Sequence, residues 1–106
     1  MRTTRDVHRL TSAFPREERF GLTSQMRRAS TPIPSNIAEG HGRGSPRQFL
    51  YFLKAARGSL AEVETQLIIS NRLGYLTDPQ ALSDTVQQSY RLLHGMIRSV
   101  SKKLTP

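Results

Sequence analysis

Residues 45–73 decide the fold, and they read SPRQFLYFLKAARGSLAEVETQLIISNRL. Ser45 before Pro46 is typical of a helix N-cap followed by proline at the first helical position, and Gln48 completes a capping box. Asn71 and Gly74 supply a stop signal. Apolar side chains recur between these ends in steps of three and four, which places them on one face of an α-helix: Phe49, Phe52, Leu53, Ala56, Leu60, Val63 and Leu67. The stretch predicts a helix over 46–73, roughly 40 Å long.

The chain after this helix predicts a second long one. Asp78 and Pro79 repeat the cap-and-proline start, and apolar residues then recur on one face to about residue 103. Only residues 74–77 separate the two predicted helices, a connection short enough to force them to be antiparallel neighbours.

The chain before residue 45 predicts two more helices. Over 17–40 the helical pattern is interrupted by Pro32 and Pro34, so we expect a kink or a break there. A short pattern over 3–14 ends at Pro15. No period-two alternation or hairpin turn indicates strands. We therefore predict one all-α domain, an antiparallel up-and-down four-helix bundle with a shortened first helix.

Composition points to partners rather than to fold. The 106 residues carry 16 Lys and Arg against 8 Asp and Glu, a formal charge of +8, which favours RNA, DNA or another polyanion. The absence of cysteine removes disulfides and thiolate chemistry. No apolar run approaches the roughly 20 residues of a membrane helix, and the N-terminus leads into no apolar stretch. We expect a cytoplasmic protein without a membrane association.

No set of residues points to catalysis, a metal site or a cofactor. His8, His41 and His94 share no ligand spacing, and no Ser or Thr lies in a nucleophile motif. Some carboxylates are open to an acid/base interpretation, but ion pairs with helical arginines are the interpretation we favour; the carboxylates are Glu39, Glu62 and Glu64, and the arginines are Arg28, Arg43 and Arg57. We expect a non-enzymatic protein.

The glycine-rich segment 40–46, GHGRGSP, matches neither a P-loop nor a dinucleotide fingerprint. A flexible connector between helices is the favoured interpretation. The alternative is an anion site, in which free amides at the start of the helix after Ser45 act together with His41, Arg43 and Arg47.

Basic residues recur along the middle helices and suit phosphate, because arginine outnumbers lysine and binds phosphate bidentately. No recognition-helix signature accompanies them, so any binding should be to phosphate and shape. A solvated helix face is the alternative for Lys54 and Arg57, and contact between subunits is the alternative for Arg28 and Arg43. The candidates are Arg27, Arg28, Arg43, Arg47, Lys54 and Arg57; a second group near the N-terminus comprises Arg2, Arg5, Arg9, Arg16 and Arg19.

Several runs of residues resemble one protein family. They are LTSAFP (10–15), ERFGLTSQMRRA (18–29), IPSNIAEG (33–40), Gly42-Arg43, FLYFL (49–53), Ala56, and GSLAEVETQ (58–66). Together they are similar to the bacterial four-helix-bundle proteins encoded in intervening sequences of 23S ribosomal RNA genes. The accessory variability determinant proteins of diversity-generating retroelements belong to the same family. The resemblance covers roughly residues 7–76.

The resemblance implies a four-helix bundle that assembles as a homopentamer without catalysis. In the retroelement members the pentamer binds nucleic acid and a reverse transcriptase through its basic surface. The resemblance also implies that Pro34 is tolerated within the second helix and that some motif residues are structural: Asn36, Glu39, Gly40, Gly58, Ser59 and Glu62. A scaffold that recruits such a protein partner is the alternative to nucleic-acid binding.

The start of the chain departs from the family pattern. Family members carry a further helical half with a Val-Trp pair ahead of the stretch matching Val7–Leu10, and this sequence has no Trp. Either the start site is misassigned or the first helix is shortened. A shortened helix would expose apolar surface on the other three, which a neighbouring subunit could cover.

Overall fold

Residues 2–104 are described by the computed structural model, and they form five α-helices and one 3-10 turn. The helices are α1 (Arg2–Thr11), α2 (Leu22–Ser30), α3 (Pro32–Gly42), α4 (Pro46–Arg72) and α5 (Pro79–Leu104), and the turn is Arg16–Glu18. The backbone stays helical between α2 and α3, since Thr31 has φ −59° and ψ −41° and its N–H donates to Arg27 O. The two are halves of one kinked helix, so the predicted all-α four-helix arrangement is confirmed.

The ends of α4 follow the predicted signals. Ser45 is the N-cap and its Oγ accepts from the Gln48 N–H at 3.4 Å, with Pro46 at the first helical position. Gly44 and Gly74, which flank the helix, have φ of +72° and +77°. Glycine adopts that left-handed conformation without steric cost, so both turns depend on it.

The kink between α2 and α3 follows from two prolines. Pro34 has no N–H to donate to the carbonyl of Ser30, four residues earlier. The hydroxyl of Thr4 donates to that carbonyl instead, at 2.9 Å. The helix therefore bends where α1 supplies a replacement hydrogen bond.

The first two helices are shorter than the pattern predicts. α1 ends at Thr11 rather than Phe14, because the Thr11 and Ser12 hydroxyls bond back to carbonyls of the last turn and Pro15 cannot continue a helix. Phe14 follows the helix and is buried in the core, with its ring centroid 5.3 Å from that of Tyr75. The next helix starts at Leu22 rather than residue 17, after the 3-10 turn and Gly21.

Glu18 fixes this connection in place. One carboxylate oxygen accepts from the Leu22 N–H at 3.2 Å, and the other accepts from the Tyr75 hydroxyl at 2.8 Å. The start of α2 is thereby tied to the turn between α4 and α5.

The core runs along the full length of the bundle. α4 packs against α2, α3 and α5, while α1 packs against α2 and α5. The buried apolar residues are Val7, Phe14, Leu22, Met26, Ala29, Ile33, Leu53, Ala56, Leu60, Val63, Leu67, Leu82, Val86, Leu93 and Val100. The molecule measures 51 × 24 × 16 Å, and its radius of gyration of 15.0 Å exceeds the ~13 Å of a round domain of this size.

The two halves of the bundle differ because α1 lies beside only one of them. Thr3 bonds to Ser89 and Asp6 bonds to Thr85, so α1 lies beside the first half of α5. We call residues 35–58 and 92–104 the lower half, which contains most of α3 and about half of each of α4 and α5. Residues 2–34 and 59–91 form the upper half, where α1 completes four helices.

Candidate nucleic-acid interface

Positive charge is concentrated in the lower half. Its ranges, 35–58 and 92–104, hold seven basic residues and one acidic residue, whereas the upper half holds nine basic and seven acidic. The basic residues of the lower half are Arg43, Arg47, Lys54, Arg57, Arg98, Lys102 and Lys103, and the acidic one is Glu39. The lower half therefore has a net charge of +6 out of the total of +8, so most of the charge lies at one end of an elongated molecule.

Three of the predicted residues lie along one side of α4. Arg47 and Lys54 are seven residues apart, about two turns, and Arg57 is three residues further on, so neighbouring side chains project on the same side. Arg47 and Lys54 are exposed and Arg57 is half-buried. Neither Arg47 nor Lys54 makes an ion pair within residues 2–104, so both are available to a ligand.

The second half of α5 extends this basic surface. Glu64 of α4 accepts hydrogen bonds from Gln87 and Tyr90 of α5, which sets the register of the two antiparallel helices. In that register Arg98 lies about level with Lys54, and Lys102 lies about one turn nearer the start of α4. Sequence reasoning did not include these two cations among the candidates, although the short 74–77 connection is a signal that the end of α5 lies beside the start of α4.

Arg43 is engaged within the chain. Its Nε and Nη2 donate to Glu39 Oε1 at 2.9 and 2.6 Å, and its guanidinium lies 5.3 Å from the centroid of the Phe52 ring. This is one of the ion pairs that the sequence favoured. Because both groups are about half exposed, the pair contributes little to stability.

Arg27 and Arg28 lie in the upper half, away from the other four candidates. Arg27 donates from Nε to the Thr11 hydroxyl at 2.9 Å and from Nη2 to the His8 carbonyl at 3.3 Å, so it joins α2 to α1. Arg28 donates to Ser24 within its own helix. The six predicted residues therefore do not form one surface.

Two of the N-terminal arginines lie beside a buried carboxylate. Asp6 is 6% exposed, and Arg5 and Arg9 approach its Oδ1 at 3.9 and 3.3 Å. Its other oxygen accepts from the buried Thr85 hydroxyl at 3.2 Å. Sequence reasoning gave Asp6 no role, since its partner is 79 residues away.

The motif residues have different surroundings. Gly40 is buried against α4, and a Cβ added there would lie 2.6 Å from Phe52 Cβ. A Cβ added at the exposed Gly58 would meet nothing within 4 Å. The side chains of Asn36, Ser59 and Glu62 make no hydrogen bond to any other described residue.

Two carboxylates, those of Glu18 and Glu64, accept hydrogen bonds from tyrosine hydroxyls. The hydrogen bond to Glu18 is the main cause that raises the pKa of Tyr75 above its ordinary value. Burial, followed by the charge and hydrogen bond of Glu64, raises the pKa of Tyr90, and nearby Arg57 opposes this. Glu64 thus joins α4 to α5.

Two further findings concern residues 2–104 as a whole. No group of three His, Asp or Glu side chains converges in a way that could hold a metal ion. None of the helices combines the length and apolar character that a membrane crossing requires.

The fold and the charge distribution define a class, that of small four-helix-bundle proteins with one strongly basic end. The family model described as 23S rRNA-intervening sequence protein matches residues 1–103. The chain belongs to this family, and the match is longer than the roughly 7–76 over which the resemblance was recognised. No curated protein matches the chain significantly.

Proposed function

We propose that this chain is a non-enzymatic, homo-oligomeric protein that binds RNA or DNA without sequence preference, through its lower half. The observation that carries the proposal is the charge distribution, seven basic residues to one acidic at that end. Contacts to phosphate supply most of the affinity in binding of this kind. The cytoplasmic location expected from the sequence stays a prediction.

The contact residues we propose are the cations of the α4–α5 surface: Arg47, Lys54, Arg57, Arg98 and Lys102. Arg43 would first have to leave Glu39. Arg27 and Arg28 are less suited, because Arg27 already joins two helices and the upper half carries nearly balanced charge. The cations project from regular helix faces, which favours phosphate over base contacts.

Self-association is supported by the outward face of α4. Tyr51 and Ile69 are 18 residues apart, five full helical turns, so they project on the same side, with Gly58 between them. Tyr51 is 69% and Ile69 is 45% exposed. The same face also carries Arg47 and Lys54, so we place the contact at its upper end, around Ile69, where exposed apolar surface suits a contact between copies. We propose the pentamer that the family resemblance implies, in which repeated basic ends raise avidity for a polyanion.

The test of nucleic-acid binding compares two double variants with the same loss of charge. Arg47→Gln/Lys54→Gln alters the proposed surface, whereas Arg16→Gln/Arg72→Gln removes two exposed upper-half cations. Binding to a DNA duplex and to a structured RNA is measured across a series of salt concentrations. We expect the first variant to lower the slope of log K against log salt by about 1.8 on duplex DNA, about 0.9 per lost contact.

The control variant should retain the slope of the parent. Equal losses in the two variants would mean that only total charge matters, and the lower half would not be the binding surface. Weak binding of the parent to both nucleic acids at low salt would exclude the proposal itself.

A scaffold that recruits a protein such as a reverse transcriptase is the second candidate. It is favoured by exposed apolar side chains in the same half, among which Leu92 is 60% exposed.

A further inference from the structure

Tyr51 is an exposed aromatic residue among the cations of the lower half. It follows Arg47 by four residues and precedes Lys54 by three, and residues at these spacings are neighbours on one side of a helix. Tyr51 is 69% exposed and lies about half a turn round α4 from the buried Leu53 and Leu60. Its ring therefore faces solvent between two positive charges.

The Tyr51 ring is anchored on one side. It packs against the Phe52 ring with the centroids 5.3 Å apart and the planes at 89°. Phe52 is itself fixed, because the backbone of α3 at Gly40 lies close to its Cβ and the Arg43 guanidinium lies 5.3 Å from its ring centroid. A ring that is already held in place loses little conformational freedom when a ligand stacks on it.

An aromatic ring between two cations matches the repeating unit of a nucleic-acid strand. Every nucleoside within a strand has a phosphate on each side, and its base presents a flat π-face. The ring can stack on the base while the cations neutralise the two phosphates. Neither Arg47 nor Lys54 is paired with a carboxylate within residues 2–104, so both can pair with phosphate.

This arrangement favours an unpaired strand over a duplex. In a duplex the bases are paired and stacked on one another, so a side chain reaches a base face only after the nucleotide is flipped out, which costs free energy. An unpaired nucleotide needs no such opening. Stacking also reads no base edge, so it agrees with binding that has no sequence preference.

We propose that the lower half binds unpaired RNA or DNA in preference to a duplex, with one base stacked on Tyr51. This inference rests on the proposed nucleic-acid binding and adds to it the class of strand that is bound. The contact proposed between copies lies around Ile69, roughly 27 Å further along α4, so it does not cover Tyr51.

Stacking and charge contacts differ in how they depend on salt. A phosphate contact displaces counterions, so its loss lowers the slope of log K against log salt. Stacking displaces none. Tyr51→Ala should therefore weaken binding of an unpaired strand by the same factor at every salt concentration, about tenfold, and leave the slope unchanged. Tyr51→Phe keeps the ring and should bind like the parent.

The first experiment measures binding of the full chain by fluorescence anisotropy across a series of salt concentrations. The probes are labelled oligothymidylate, a duplex of the same length, and an abasic strand of the same length, which has the phosphates but no bases. Phe20→Ala is the matched control, because Phe20 is 86% exposed and lies beside Arg19 but belongs to the upper half. Tyr51→Ala should weaken binding of oligothymidylate only, and the control should weaken none of the three.

A second experiment detects the stacked base directly. The chain contains no Trp, so Tyr51→Trp introduces a single fluorophore whose emission a stacked base quenches. We expect oligothymidylate to quench it saturably and the abasic strand to leave it unchanged. Phe20→Trp is the control and should not respond. Circular dichroism confirms that all the variants are folded.

Several outcomes would overturn the inference: full binding by Tyr51→Ala, an equal loss on all three probes, or equal quenching at positions 51 and 20. A change of molecular mass in Tyr51→Ala would place the ring in a contact between copies, which also overturns it. The proposed function fails separately, if Arg47→Gln/Lys54→Gln keeps the affinity and salt slope of the parent. A lowered slope in that variant together with full binding by Tyr51→Ala would mean that the stacking alone is wrong.

Discussion

Two glycines of the family motifs have opposite environments. Gly40 lets the backbone of α3 approach α4, since an added Cβ would lie 2.6 Å from Phe52 Cβ and 3.1 Å from Phe49 Cδ1. Gly58 has no neighbour within 4 Å of that position and lies on the outer face of α4. The motif alone gives no reason to treat them differently, so the distinction comes from the packing of α3.

Alanine at these two positions should change stability in opposite directions. We expect Gly40→Ala to lower the free energy of unfolding by about 1–3 kcal/mol through overpacking. Gly58→Ala should raise the free energy of unfolding of the single chain by about 1 kcal/mol, because alanine is the better helix former. Chemical denaturation of dilute protein measures both. A stable Gly40→Ala variant would mean that α3 moves away from Phe52 at little cost.

Single residues also show what the sequence could predict about the site. The Arg43–Glu39 pair was predictable because it lies within one helical turn, at a spacing of four. The role of Arg27 was not, because its partners, Thr11 and the His8 carbonyl, depend on how α1 docks. Interactions across 16 or more residues leave no local pattern, so a candidate phosphate ligand could not be separated from a link between helices.

At the scale of the helices, the sequence predicted the positions marked by proline or by an N-cap better than it predicted the other helix ends. Pro32 and Pro34 predicted the kink in the second helix, and the cap at Ser45 predicted the start of α4. The sequence pattern placed the end of the first helix at residue 14, whereas α1 ends at Thr11. Phe14 continues the apolar pattern, but it lies outside the helix and packs against Tyr75. A period of apolar residues shows which side of a segment is buried. It does not show where the helix ends, because a residue just after the helix can be buried on the same side.

The hydrogen bond between α1 and the kink can be tested with a double-mutant cycle. Thr4→Val keeps the shape of the side chain but leaves the Ser30 carbonyl without its donor, so we expect a loss of about 1 kcal/mol in the free energy of unfolding. In the Pro34→Ala background the restored backbone N–H can bond to Ser30, and Thr4→Val should then cost less. Thermal or denaturant unfolding of the four proteins gives the coupling. Equal costs in both backgrounds would show that Thr4 does not replace the missing bond.

At the scale of the whole molecule, the separation of charge was not predictable from composition. The formal charge of +8 is a property of the chain, but its position depends on the antiparallel pairing of α4 with α5 and on the place of α1. That pairing brings the cations near the start of α4 beside those near the end of α5. Seven of the eight acidic residues meanwhile lie in the upper half.

The proposed oligomer gives a whole-molecule prediction. Ile69→Glu places a charge at the proposed contact on the outer face of α4 and should shift the particle from an oligomer to a single chain. Ile68→Glu is the matched control, because Ile68 is 51% exposed but lies about 100° round the helix, beside α5. Light scattering during size exclusion measures both masses. If the parent is itself a single chain, or if Ile69→Glu keeps the parent's mass, the outer face of α4 around Ile69 is not the contact.

The separation of charge also makes the molecule an electric dipole along its 51 Å axis. At physiological ionic strength attraction acts over only about 8 Å, so a polyanion beside the upper end meets nearly balanced charge. One beside the lower end meets strong attraction and turns the molecule before the surfaces touch. Orientation during approach, and with it the rate of association, is therefore set by the arrangement of charge, ahead of any fit between the surfaces.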